Sequence, residues 1–72
     1  MTDQLQKLDE LRAEAVEDAV QLFEGDGHAA DAWLGQPLIA IGGETPSEYM
    51  DSPEKIRTVR DIIARLEHGI LT

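Results

Sequence analysis

Apolar positions in the first third of the chain recur at helical spacing. Leu5, Leu8, Leu11, Ala15, Ala19 and Leu22 fall every three or four residues, and Val16, Val20 and Phe23 widen the stripe. That period predicts one amphipathic helix over residues 3–24. Its interior holds neither Gly nor Pro and is rich in Ala, Leu, Glu and Gln, which favour helix. Thr2 or Asp3 can cap its start, and Gly25 and Gly27 end it. A helix of that length would span about 33 Å, long for so short a chain. Part of its stripe is therefore expected to meet something outside the chain's own core, such as a second copy, unless the first turns fray.

A second, shorter helix follows. Asp26 is its expected N-cap, and Ala29, Ala30, Ala32, Trp33 and Leu34 carry it to Gly35. The apolar run Leu38 to Ile41 has no strand to pair with and would leave its own backbone groups unpaired. It reads as a connector pinned into a helical core, with Gly42-Gly43 turning the chain. Thr45-Pro46 and Ser52-Pro53 then form two helix starts in quick succession. Thr45 caps a helix with Pro46 at its first position and Glu48 at capping-box spacing, ending near Met50. Ser52 and Pro53 start the last helix, whose stripe is Ile56, Val59, Ile62, Ile63 and Leu66. The double start is a corner that turns the last helix back onto the others. His68 lies at the negative end of its dipole, and Gly69 stops it. The fold class is all-α: four helices in a single domain over residues 1–72, the first long and the third very short. Phe23, Trp33, Leu34, Ile41, Ile62 and Leu66 are the expected core.

Charge narrows the function. Net charge is −9, and it is uneven: residues 1–44 carry ten acidic side chains against Lys7 and Arg12, while residues 45–72 carry five against four basic ones. Phosphate contacts dominate nucleic-acid affinity, so direct binding of DNA or RNA by this chain is not expected. A basic protein partner fits better. Without cysteine, disulfides and thiolate metal sites are impossible, and no apolar run approaches membrane-spanning length. A cytoplasmic protein with no membrane association is the expectation.

Catalytic chemistry finds little support. Asp26, His28 and Asp31 could ligate a metal, but an N-cap and an exposed helix face explain them better. Ser47 and Ser52 have no base at a recognisable spacing, and Gly42-Gly43 is not followed by the Lys-Ser or Lys-Thr of a phosphate loop. Arg57, Arg60 and Arg65 could form an anion patch, yet Asp61 and Glu67 nearby favour a solvated face. No catalytic, metal or cofactor site is expected, and the chain reads as a non-enzyme. The tail is the exception to this plainness. After Gly69 come Ile70, Leu71 and Thr72, an apolar pair beside the terminal carboxylate. Such a tail is expected to dock, either on the chain's own core or in a partner's pocket.

In order, Phe23, Trp33-Leu34, Pro37, Ile41-Gly42-Gly43, Thr45-Pro46 and Arg65-Leu66-Glu67-His68-Gly69 form a specific set. Over about residues 16–72 the chain resembles the toxin-binding domain of the Xre/MbcA/ParS antitoxins, with Gln36 and Ser47-Glu48-Tyr49-Met50 departing from that pattern. Members commonly carry an N-terminal helix-turn-helix domain, for which residues 1–15 are too few. The resemblance implies an antitoxin that binds no cofactor and neutralises a RES-domain, NAD-consuming toxin. Its C-terminal segment, here Arg65, Glu67, His68, Gly69, Ile70, Leu71 and Thr72, would enter the toxin's NAD pocket. A homodimer or a larger heteromeric complex is expected. The alternative is a helical homodimerisation module that inhibits no toxin.

Overall fold

The computed structural model describes residues 2–69, with side chains from Gln6 onward. The roles expected of Ile70, Leu71 and Thr72 lie outside the described residues, and those of the Thr2, Asp3 and Leu5 side chains lie outside the described side chains. Helix α1 spans Thr2–Leu22, α2 Gly27–Leu34, α3 Pro46–Tyr49 and α4 Pro53–Gly69, with a 3-10 turn over Ile39–Ile41. The all-α expectation holds, and no strand occurs among the described residues.

Helix boundaries follow side-chain chemistry. The Asp26 carboxylate accepts from the Ala29 N–H at 3.1 Å and starts α2. The Thr45 hydroxyl accepts from the Glu48 N–H at 3.2 Å, and the Ser52 hydroxyl from the Lys55 N–H at 3.3 Å. Each satisfies one donor that the first turn of a helix leaves open. The capping box is modified: the Thr45 hydroxyl also donates to the Glu48 carboxylate at 3.3 Å. Helix α1 stops two residues earlier than its apolar period suggests. Gly25 N–H bonds to the Val20 carbonyl and Glu24 N–H to Gln21, the paired bonds of a Schellman ending. The left-handed residue at its turn is Glu24, φ 58°, followed by Gly25 at φ 88°.

The helices pack around α1. Arg12 donates to the Ser47 carbonyl of α3 at 3.1 Å, while farther along α1 both Glu14 and Asp18 meet Arg60 of α4. Leu11 shares a depression with Pro53 at the start of α4, whereas Asp18, two turns farther along α1, meets Arg60, two turns farther along α4, so α1 and α4 run in the same sense. Their contact is the most extensive in the fold, followed by α1 with α2. The core comprises Ala15, Ala19, Ala30, Leu34, Met50, Ile56, Val59 and Ile63, each nearly inaccessible. Three of these eight are alanines, small enough for helix backbones to approach closely.

Core placement departs from the sequence expectation. Leu34 and Ile41 are buried, but Phe23 and Trp33 are half-buried and pack against the cluster from its rim. Met50, an unbranched chain that fills irregular gaps, occupies the interior instead at 2% exposure. Ile62 is half-buried, and Leu66 is a correction: it is 40% exposed. The inward side of α4 is Ile56, Val59 and Ile63. Leu66 lies beyond Arg60 where α1 is ending, so little is left to cover it.

The long α1 stripe is mostly consumed internally. Ala15 and Ala19 are fully buried, and Leu8, Leu11, Val20 and Leu22 pack against the core, leaving Val16 as its exposed large apolar residue among the described side chains.

Candidate functional site

The expected site residues that are described share one end of the molecule. Arg65, Glu67, His68 and Gly69 occupy the last turns of α4, all exposed. They are helical because α4 is continuous from its Ser52 cap, and exposed because the helix outruns its cover. Arg65 pairs with Asp61 one turn earlier at 3.3 Å. Both partners are largely solvated, so this pair constrains Arg65 little and leaves the guanidinium able to exchange partners. His68 sits at the helix end, where the dipole favours positive charge. A cation, an anion and an imidazole thus stand around one projecting turn.

The three arginines of α4 divide into different roles. Arg60 forms a fork across the helix interface, Nε to Asp18 at 2.5 Å and Nη1 to Glu14 at 3.0 Å. The hydrogen bond to Asp18 is the main reason its pKa is raised, against a lesser opposing effect of desolvation. Arg65 makes the local pair described above. Arg57 has no side-chain partner among the described residues and stands beside a depression of about 230 Å³, lined also by Leu11, Pro53, Ile56 and Arg60.

Three of the residues weighed for chemistry have structural work. Asp26 caps α2, Ser52 caps α4, and Ser47 supplies its backbone carbonyl to Arg12. No group of His, Cys, Asp and Glu among the described residues could hold a metal ion. None of the described helices is long and apolar enough to cross a membrane.

One surface feature escaped sequence reasoning. Leu38 to Ile41 was expected to be pinned inward as a unit, but Ile39 is 97% exposed. The 3-10 turn, at three residues per turn, points Leu38 and Ile41 the same way and Ile39 away from them. The turn expected at Gly42-Gly43 is present, with φ values of 77° and 86°.

The described residues form a small all-α scaffold with one projecting polar helix end. Residues 18–69 match the antitoxin Xre/MbcA/ParS C-terminal toxin-binding domain, and the chain belongs to that family. It is 35% identical over 57 residues to an antitoxin Xre of Photorhabdus laumondii subsp. laumondii, covering 79% of this chain and 38% of that protein. A second antitoxin Xre, from Yersinia enterocolitica, is 35% identical over 54 residues, covering 75% of this chain and 36% of that protein. The chain thus aligns with little more than a third of each of these curated relatives. No solved structure matches it.

Proposed function

We propose that this chain is the neutralising module of a type II toxin–antitoxin pair, acting by binding and not by catalysis. Its partner is a RES-type, NAD-consuming toxin, and the end of α4 with Ile70, Leu71 and Thr72 blocks that toxin's NAD site. The observation that carries this reading is the family match over residues 18–69, which runs through the projecting turn that leads into those three residues. Two physical features support it. Arg65, Glu67 and His68 present both charge signs on an end that little of the chain's own fold covers. The net charge of −9 complements a cleft built to receive a phosphate-bearing dinucleotide.

The test is co-expression of the full chain, and of a chain lacking Ile70, Leu71 and Thr72, with a RES-type toxin, alongside melts of both proteins alone. The expected result is rescue by the full chain, loss of rescue on truncation, and little change in melting temperature. Full rescue by the truncated protein removes the tail from the mechanism. Lost rescue with a collapsed melt would instead make the tail part of the chain's own core.

A further inference from the structure

We propose that the Asp26-Gly27 bond is a covalent modification site, where Asp26 converts spontaneously to isoaspartate when the start of α2 opens and is protected while the helix is capped. The sequence holds a single Asp-Gly pair and no asparagine. Glycine has no Cβ, so its amide nitrogen reaches the side-chain carbon of a preceding aspartate with the least hindrance. The step is a rearrangement. The Gly27 nitrogen bonds to Asp26 Cγ, one carboxyl oxygen leaves as water with the amide and carboxyl hydrogens, and a cyclic imide closes. Water then opens the ring. Attack at Cγ restores aspartate, whereas attack at the main-chain carbonyl leaves the chain running through Cβ and Cγ, with the former backbone carbonyl as a free carboxylate. One water leaves and one returns, and nothing is oxidised or reduced.

The fold holds this bond away from the geometry of the ring. Closure needs the Gly27 nitrogen on the same side of the Asp26 Cα–C bond as Cβ. At φ −82° and ψ 96° the extended backbone of Asp26 turns that nitrogen to the far side. Hydrogen bonds keep it there. The carboxylate accepts from the Ala29 N–H at 3.1 Å, the main-chain carbonyl accepts from the Ala30 N–H at 3.1 Å, and the Asp26 N–H donates to the Phe23 carbonyl at 3.1 Å. The cap that starts α2 thereby keeps its own aspartate from reacting.

That hold is local. Asp26 and Gly27 are both exposed, and open space lies where a Cβ on Gly27 would stand. The buried residues of α2, Ala30 and Leu34, lie farther along the helix. Helix ends open at a much lower free energy than the whole fold, so freeing Asp26 needs only the first turn of α2 to open. The product cannot re-form that turn. Isoaspartate moves its carboxylate off the cap position and takes the carbonyl out of the main chain, so the acceptors of both the Ala29 and Ala30 N–H groups are lost. Because α2 packs on α1 through that buried face, the change reaches the core. The proposal does not rest on the toxin reading.

Prolonged incubation of the purified full chain in warm neutral buffer, folded and in concentrated urea, tests the proposal. Isoaspartate is counted through its methylation by an isoaspartyl methyltransferase and located by fragment-ion mass spectrometry. It is expected at position 26, forming about tenfold or more slowly in the folded chain than in urea. Gly27→Ala suppresses it in both conditions. Asp26→Ser, which keeps a capping hydroxyl, abolishes it at that position while circular dichroism shows the fold intact. The isomerised fraction, separated by chromatography, melts about 4–8 °C lower, as loss of one cap does in a domain of this size. Absence of isoaspartate at position 26 in urea overturns the site, and equal rates in the folded and unfolded chains overturn its protection by the cap. An isomerised fraction that melts like the parent overturns the structural consequence.

Discussion

Arg60 of α4 reaches Asp18 of α1 with a contact of 2.5 Å from Nε to Oδ2, across 42 positions of sequence, and the same guanidinium holds Glu14. Two carboxylates one helical turn apart on α1 thereby grip one cation and set the register of α4 against it. The arginine side chain is 40% exposed, so solvent screens much of the interaction. Arg60→Met should lower stability by about 1 kcal/mol or less, and thermal melts should show the difference shrinking in concentrated salt. A loss that salt leaves unchanged would mean packing of the arginine stem dominates. The raised pKa adds stability that is complete below arginine's ordinary value and is lost only as pH rises through the folded one. Ionisation of Arg60 therefore gives no stability change near neutral pH.

Met50 should matter more than its place in a corner suggests. It is 2% exposed, while Leu66 is 40% exposed despite lying on the apolar period of α4. Met50→Ala should cost about 2–5 kcal/mol, a large share of a small domain's stability. Leu66→Ala should change the melt by about 0.5 kcal/mol or less, as surface substitutions do. Urea titration of both variants checks the order, and equal losses would contradict the burial pattern.

Glu24 holds a left-handed backbone that glycine adopts without strain. Glu24→Gly should raise stability by about 0.5–1 kcal/mol, the relief of αL strain less glycine's entropy. The readout is a higher melting temperature; an unchanged or lower one would show that the Glu24 side chain offsets its strain.

Capping at the corner gives a fourth stability test. Thr45→Ala and Ser52→Ala should each cost about 1 kcal/mol through the lost side-chain acceptor. Replacement by Asp, another strong capping residue, should retain most of it. Equilibrium unfolding separates this from a chemical role, because only an acceptor at the helix start is needed.

The helix starts were legible because each is local: Asp26, Thr45 and Ser52 act on donors three residues away. The end of α1 was legible to within two residues, because a glycine was the expected stop while Glu24 adopts the left-handed turn just before it. Core identity was less legible. Periodicity marks Ile62, Ile63 and Leu66 alike, and only the place where α1 ends decides that Ile63 is buried and Leu66 is not. Met50 holds the interior place expected of Trp33 for a related reason: how closely facing helices pack is invisible along either one. For the candidate site, spacing placed Arg65, Glu67, His68 and Gly69 on a terminal helical turn. Their exposure depends on the relative lengths of α1 and α4, which spacing does not reveal.

The overhang of α4 separates two kinds of selection. Ile56, Val59 and Ile63 face inward and are held by the fold, whereas Arg65, Glu67 and His68 rest on almost nothing. Substitutions on those last turns fall in the range tolerated at surfaces and leave the packed interior untouched. Under the proposed function, partner preference at that end can therefore drift residue by residue while foldability stays constant, so a lineage can follow a changing partner without first acquiring spare stability.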